Sequence, residues 1–271
     1  MIATALGPVC AKSGLRLVPA TGQISYRVAK DRHGALSARS NALVGPVPVG
    51  IDRSIGDSRG RYDSLGSTIY LADSRQCAYS EVLIGFRQRR AAVARIAESV
   101  GWTVEEYIAS VQGQAEANEV DVPWAISVDW QMDRSVYEIR LPYKGWWVQI
   151  DDPDTLLTLQ DKAPTVQGIT ERLQLLTSGS LGGEDRDLTT LLAHTIRGVT
   201  LHDGSEPIGI SYPSKTLMGR CWAYWDRRAD QGLSPGRDGL LQLTSQNVGP
   251  DPEFRRIANK YNLPILGARG L

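Results

Sequence analysis

Read by where its apolar positions fall, the chain begins with strand signals and a long polar loop. Ile24 to Ala29 reads as a short strand, and Ser67 to Ala72 as a buried one. Between them, residues 34–66 are rich in Gly, Pro and Ser with few periodic apolar positions, which predicts a long functional loop. Asp73 followed by Gln76 has the spacing of a capping box, and Tyr79, Val82, Leu83 and Phe86 then recur at helical spacing. A helix therefore follows, with Glu81 off its core stripe. Thr103 with Glu106 opens another helix to about Glu116, striped by Val104, Tyr107, Ile108 and Val111.

The second half turns β-rich. Trp124 to Met132, Ser135 to Leu141 and Trp146 to Ile150 predict three strands in a meander, separated by turns at Asp133-Arg134 and Lys144-Gly145. Asp151-Asp152-Pro153-Asp154 predicts the start of a helix over Thr155 to Gln160, with further helices over Thr170 to Thr177 and Asp187 to Gly198. Ser178 to Gly183 reads as a loop. Strands return at Ile208 to Tyr212 and Arg220 to Trp225, and a helix from Asp251 to Tyr261 closes the pattern.

Composition narrows the function classes. With 271 residues, 42% of them hydrophobic, the chain can bury a full core. Lys plus Arg equals Asp plus Glu at 30 each, so no global field gathers nucleic acid or anionic lipid. Any anion site must be a local arrangement of arginines. The loop arginines Arg32, Arg39, Arg53, Arg59 and Arg61 supply one, as a nucleotide-covering segment or as ordinary solvated side chains. A DNA-binding use of the same loop would require steeply salt-dependent affinity, and the zero net charge weighs against it.

Cys10, Cys77 and Cys221 are odd in number and widely spaced, matching neither a disulfide scaffold nor a zinc site. That pattern predicts a reducing compartment. Met1 to Cys10 lacks basic residues and breaks at Gly7-Pro8, so neither a signal peptide nor a membrane span is expected and the chain reads as cytoplasmic. His33, His194 and His202 lack ligand spacing, so no metal is assigned. No dinucleotide-fold glycine fingerprint or P-loop is present. The cluster Arg87, Arg89 and Arg90 reads as a solvated helix end, and the tryptophans as sheet filling.

The remaining candidates suit glycoside chemistry. Cleavage passes through an oxocarbenium-like centre, which a carboxylate beside the ribose steadies, and Glu81 is that candidate, flanked by the small or apolar Cys77, Ala78, Ile84 and Gly85. A pyrophosphate calls for planar, permanently charged forks, and Arg27 and Arg61 are placed to supply them. Tyr70 offers an aromatic wall, and Ser214 a hydroxyl donor. Each has a structural counterpart: a core tyrosine, a turn serine, a carboxylate paired internally with an arginine.

In order along the chain, Tyr26-Arg27, Gly60-Arg61-Tyr62, Tyr70-Leu71, Glu81 and Tyr212-Pro213-Ser214 resemble the RES domain family, whose members include NAD-consuming bacterial toxins. The resemblance covers Ser25 to Trp225. Tyr62-Asp63 stands where the family often has Trp-Asn, and the interval from Arg61 to Tyr70 is compressed. It implies an α+β, ADP-ribosyltransferase-like (diphtheria-toxin-like) fold, in which antiparallel sheets form an NAD cleft with helices around it. A single domain over 1–271 is then expected, with a core over 24–226, an inserted helical segment over 87–122 and a C-terminal helix.

The resemblance implies cleavage of the nicotinamide-ribosyl bond of NAD+, with NAD+ as substrate rather than cofactor. Arg27 and Arg61 would grip phosphates, Tyr70 would pack on the nicotinamide end, Glu81 would stabilise the ribosyl cation, and Ser214 would hold ribose or amide. Water, phosphate or a protein side chain would accept the ADP-ribosyl group, making the chain a glycohydrolase, phosphorylase or transferase. A helix-turn-helix (Xre-type) antitoxin is the implied partner. The reading from another class is a catalytically silent interaction module of a toxin-antitoxin or phage-related assembly.

Overall fold

The computed structural model describes residues 7–38, 40–164, 169–174, 176–234, 236 and 238–267. Arg39 and residues 1–6, on which part of the loop and N-terminal readings fell, lie outside the described residues. Strands β1 (Leu17–Pro19), β2 (Ile24–Lys30), β3 (Ser40–Asn41), β4 (Gly66–Ala72), β5 (Arg134–Arg140), β6 (Trp146–Gln149), β7 (Gly209–Pro213), β8 (Arg220–Trp225) and β9 (Leu241–Asn247) form one mixed, mostly antiparallel sheet. Their order is β1-β6-β7-β8-β4-β2-β5-β9, with β3 paired to β4. Only β6 and β7 run parallel among these pairings.

The ladder is uneven at its middle. Strand β2 is registered with β5 from Ile24 to Lys30, and β4 with β8 from Thr68 to Ala72, but β2 and β4 meet only at Tyr26 opposite Ala72. The sheet is thus two half-sheets joined at one rung, diverging beyond it. This junction positions the site.

Helices pack mainly on one face. The long α2 (Arg75–Ser99) follows β4, and α3 (Val104–Ala117) folds back against it. Ser74, in extended geometry, caps α2 by accepting from the Cys77 N–H, while the preceding Asp73 accepts from the Arg220 N–H at 2.7 Å. The expected capping pair Asp73 and Gln76 is therefore shifted by one residue, because Asp73 ties the end of β4 to the start of β8. Thr103 and Glu106 do form a reciprocal capping box on α3. Tyr79, Leu83 and Phe86 bury the α2 stripe against Phe254 and Ile257 of α10 (Pro252–Lys260).

On the same face, α5 (Pro153–Lys162), capped by Asp152, and α8 (Arg186–Arg197) cover the other half-sheet. Val148, Ile150, Ile210, Tyr212, Cys221, Ala223 and Trp225 supply the sheet side of that core. Residues of β4, β5, β6 and β8 that point the other way, including Ile69, Leu71, Tyr137, Trp147 and Trp222, fill a second core on the opposite face. Short helices α1 (Arg53–Asp57), α4 (Val128–Met132), α6 (Thr170–Gln174), α7 (Ser178–Gly182) and α9 (Arg227–Asp230) complete the described elements.

Several expectations are corrected. The strand expected over Trp124 to Met132 does not form: Ile126 makes only an isolated bridge to Ile265, and Ser127 then accepts from the Trp130 N–H and starts helix α4, letting the Trp130 ring stack on Phe254. No meander forms, because β5 lies between β2 and β9 and β6 between β1 and β7. Ser178 to Gly182 is a helical turn capped by Thr177. Arg87, Arg89 and Arg90 lie within α2, where Arg87 sits over the Tyr261 ring and Arg90 donates to the Asn262 carbonyl. Strand β9 escaped notice because nearly all of it is exposed edge with little apolar content.

Among the described residues, no helix is long and apolar enough to cross a membrane.

Candidate functional site

A cavity of about 330 Å³ opens at the divergence of β2 and β4. It is bordered by three consecutive residues of each strand, Tyr26, Arg27 and Val28 on one side and Tyr70, Leu71 and Ala72 on the other. Consecutive strand residues point to opposite faces, so a cavity touching all of them lies in the gap between the strand edges. Helix α2 closes it with Ala78, Glu81 and Val82, and Gly60, Arg61, Arg186, Tyr212, Lys215 and Cys221 complete the wall.

Glu81 reaches the cavity because the residues beside it are small. Ala78, one turn earlier, is buried and lines the same wall, which lets the half-buried carboxylate emerge against the sheet. Its Oε1 accepts from the Lys215 N–H at 2.7 Å, and its Oε2 lies 3.8 Å from Arg61 Nη2. Arg61 is itself buried, its guanidinium 4.9 Å from the centre of the Tyr212 ring and 5.6 Å from that of Tyr62. Two aromatic faces and one carboxylate hold the charge in place.

Gly60 allows this packing. A Cβ there would stand 2.3 Å from the Tyr70 hydroxyl, so only glycine admits the tyrosine beside the turn. Tyr70 donates to Asp63 Oδ1 at 2.8 Å and accepts from the Tyr62 N–H at 3.0 Å, while Asp63 Oδ2 accepts from the Gly60 N–H at 2.7 Å. The ring is left as cavity wall. Burial, then Asp63, pushes the Tyr70 phenol well above its ordinary pKa, and burial does the same to Tyr62 and Tyr212. All three stay protonated at neutral pH.

Arg27 approaches from the other side of the sheet. By strand alternation it leaves β2 opposite to Tyr26 and Val28, and it donates to the Ala35 carbonyl at 2.7 Å. No carboxylate pairs with it among the described residues, and burial pulls its guanidinium down to about 10 despite the nearby Tyr137. An anion in the gap would satisfy it.

The structure therefore brings Arg27, Arg61, Tyr70 and Glu81 to one cavity. Ser214 stands apart. It is 1% exposed and does not line the cavity; its hydroxyl bonds to Thr216 Oγ1 at 2.7 Å and accepts from the Thr216 N–H. That turn presents the neighbouring Lys215 N–H to Glu81. In this arrangement the Ser214 hydroxyl holds a turn through Thr216.

Of the described loop arginines, only Arg61 borders the cavity. Arg59 is a buried anchor, donating to the Gly45 and Gly56 carbonyls and pairing with Asp187 at 2.9 Å. Arg32 contacts His33 on the surface, and Arg53 lies in the exposed part of α1. Sequence reasoning missed Asp63, Arg186 and Lys215, and missed that Cys77 and Cys221 stand 3.6 Å apart, sulfur to sulfur, beneath the cavity. Only the Gly60 to Asp63 run carried any signal, as a glycine and an acid of the kind that build turns.

Set beside known proteins, the chain matches no family model, no curated protein and no solved structure. The cavity combines the Glu81 carboxylate, three guanidinium groups (Arg27, Arg61 and Arg186), the Lys215 ammonium and an aromatic wall, a set suited to binding an anion and stabilising a cation in one place. No group of three or more His, Cys, Asp or Glu suited to a metal is gathered among the described residues.

Proposed function

We propose that this chain cleaves the nicotinamide-ribosyl bond of NAD+. The observation that carries the reading is the meeting of Glu81 with Arg61 and the carboxylate-free Arg27 around one cavity between diverging strands. Breaking the bond between ribose C1′ and the pyridine nitrogen sends its electron pair to nicotinamide, which leaves neutral, and the positive charge passes to the ribose. The Glu81 carboxylate, fixed by the Lys215 N–H, is aimed at that developing charge. Arg27 and Arg61 take the phosphate charge, and the Tyr70 ring packs against the departing heterocycle.

Water, inorganic phosphate or a protein side chain then bonds to C1′ and releases a proton. The same cation serves all three acceptors. We read the split sheet as the cleft of an ADP-ribosyltransferase-like fold and the chain as a RES-type toxin. Its partner would be a helix-turn-helix (Xre-type) antitoxin covering the cavity mouth, and the activity belongs in the cytoplasm, where NAD+ is available.

Incubation of the purified chain with NAD+ tests this directly through free nicotinamide. Release by the wild type, lost in Glu81→Ala with circular dichroism unchanged, supports the enzyme. Absence of release from folded wild type over a wide concentration range overturns it and favours the silent interaction module. Added phosphate or candidate proteins then separate the acceptors.

A further inference from the structure

At the mouth of the cavity, beyond the residues that would meet the reacting bond, two further cations line the wall: Arg186 at the start of α8, and Lys215 after β7. Both are spoken for by one side chain. Glu184 pairs through Oε2 with Arg186 Nη2 and through Oε1 with Lys215 Nζ. The carboxylate side chain is 62% exposed, whereas those of Arg186 and Lys215 are 14% and 20% exposed. The cations are thus shielded, and the anion between them is the solvent-facing member.

We propose that Arg186 and Lys215 form a second anion subsite at the cavity mouth, for a phosphate of the incoming nucleotide, and that Glu184 occupies it as an internal stand-in until ligand displaces it. The choice of phosphate group rests on the NAD+ reading; the subsite requires only an anion. A carboxylate bridging an Arg and a Lys with its two oxygens occupies the place that two phosphate oxygens would take. Exchange is favourable because an exposed carboxylate pair contributes little, while a pyrophosphate brings more charge and more acceptors to the same donors.

The electrostatics agree. Burial raises the Glu184 pKa, yet the Lys215 hydrogen bond and the charges of Arg186, Lys215 and Arg61 outweigh it and leave the pKa below the ordinary carboxylate range. Glu184 therefore sits in the field of three cations, one of them the cavity's own Arg61. A phosphate in its place would feel the same field. The pairing also runs in the right direction, since Arg61 reaches inward to Glu81 while Arg186 and Lys215 meet the solvent-facing Glu184.

The test is binding of inorganic pyrophosphate to the full chain by isothermal titration calorimetry. Glu184→Gln keeps the side chain's shape and removes the competing charge, and pyrophosphate affinity should rise about tenfold at low salt. Glu206→Gln, the same charge change at the distant Arg227 pair, is the control and should leave affinity unchanged. Adding Arg186→Gln, or separately Lys215→Gln, to Glu184→Gln should remove the gain, with circular dichroism confirming the fold. Equal affinity of Glu184→Gln and wild type, an equal gain in Glu206→Gln, or a gain that survives both cation replacements overturns the subsite. No turnover is involved, so a Glu184→Gln chain that binds pyrophosphate more tightly but releases no nicotinamide sinks the NAD+ reading and leaves the subsite standing.

Discussion

The backbone N–H of Lys215 donates to Glu81 Oε1 at 2.7 Å, so a carboxylate on α2 is oriented by a turn 134 residues further along the chain. Glutamine can accept the same bond while carrying no charge. Glu81→Gln is therefore expected to keep the fold and the position of the side chain. Nicotinamide release should fall by about 100-fold or more, the order lost when one preorganised electrostatic group is removed. A steady-state assay beside a thermal melt checks both halves, and activity near the wild-type level would remove Glu81 from the chemistry.

Arg27 shows the opposite balance. Its guanidinium is half-buried and pairs with no carboxylate among the described residues, an arrangement that costs stability unless a ligand anion arrives. Arg27→Met, which fills similar space without charge, should leave Tm equal or higher while weakening ADP-ribose binding at least about tenfold. A melt and a titration on the same sample decide it. A large loss of Tm would make Arg27 structural.

The turn before the cavity is sensitive at one atom. An alanine Cβ at position 60 would lie 2.3 Å from the Tyr70 hydroxyl, displacing it from Asp63 and the Tyr62 N–H. Gly60→Ala should destabilise by about 1–3 kcal/mol and lower Tm by several degrees. Gly85→Ala, on α2 where an added Cβ meets nothing, is the matched control and should be neutral or slightly stabilising.

Alkaline pH should unfold the protein steeply. Burial raises the phenols of Tyr62, Tyr70, Tyr79 and Tyr212 above their ordinary value, and its hydrogen-bonded partner Cys77, then burial, raises the Cys221 thiol. For an acid whose folded pKa is raised, the folded state holds the extra proton between the two values, so its stabilisation is complete below the unfolded pKa and falls above it. Loss therefore begins near pH 9 for the thiol and about pH 10 for the phenols. Arg27, a base pulled down to about 10, works in the other sense, as do Arg134 and Arg227, lowered by burial, and the lowered thiol of Cys10, but Tyr137, Tyr224 and Tyr261 are raised with the other phenols. Tyrosinate absorbance from these rings should appear together with loss of circular dichroism; ionisation well before unfolding would contradict the burial.

Much of this arrangement was legible from sequence where the signal is local. Strands β2, β4, β7 and β8 and helices α3, α5, α8 and α10 follow from apolar patterning and capping residues. Glu81 was found through its small neighbours, and Arg61 through the Gly-Arg-aromatic run. What failed is non-local. Nothing in the run Trp146 to Gln149 says that it joins β1 and β7 instead of β5, because strand pairing is decided by packing between distant segments. The engagement of the Ser214 hydroxyl with Thr216, and the Glu184 link to Arg186 and Lys215, likewise depend on loops whose mutual positions the core sets.

The single rung between Tyr26 and Ala72 leaves the protein with something close to a clothes-peg. Each half-sheet is stiffened by its own ladder, so bending concentrates where the ladder is missing. A molecule seated in that gap touches both half-sheets, which helix α2 also bridges, and its grip is felt along both of them. Whatever fills the cleft therefore acts as the rungs the sheet itself does not supply.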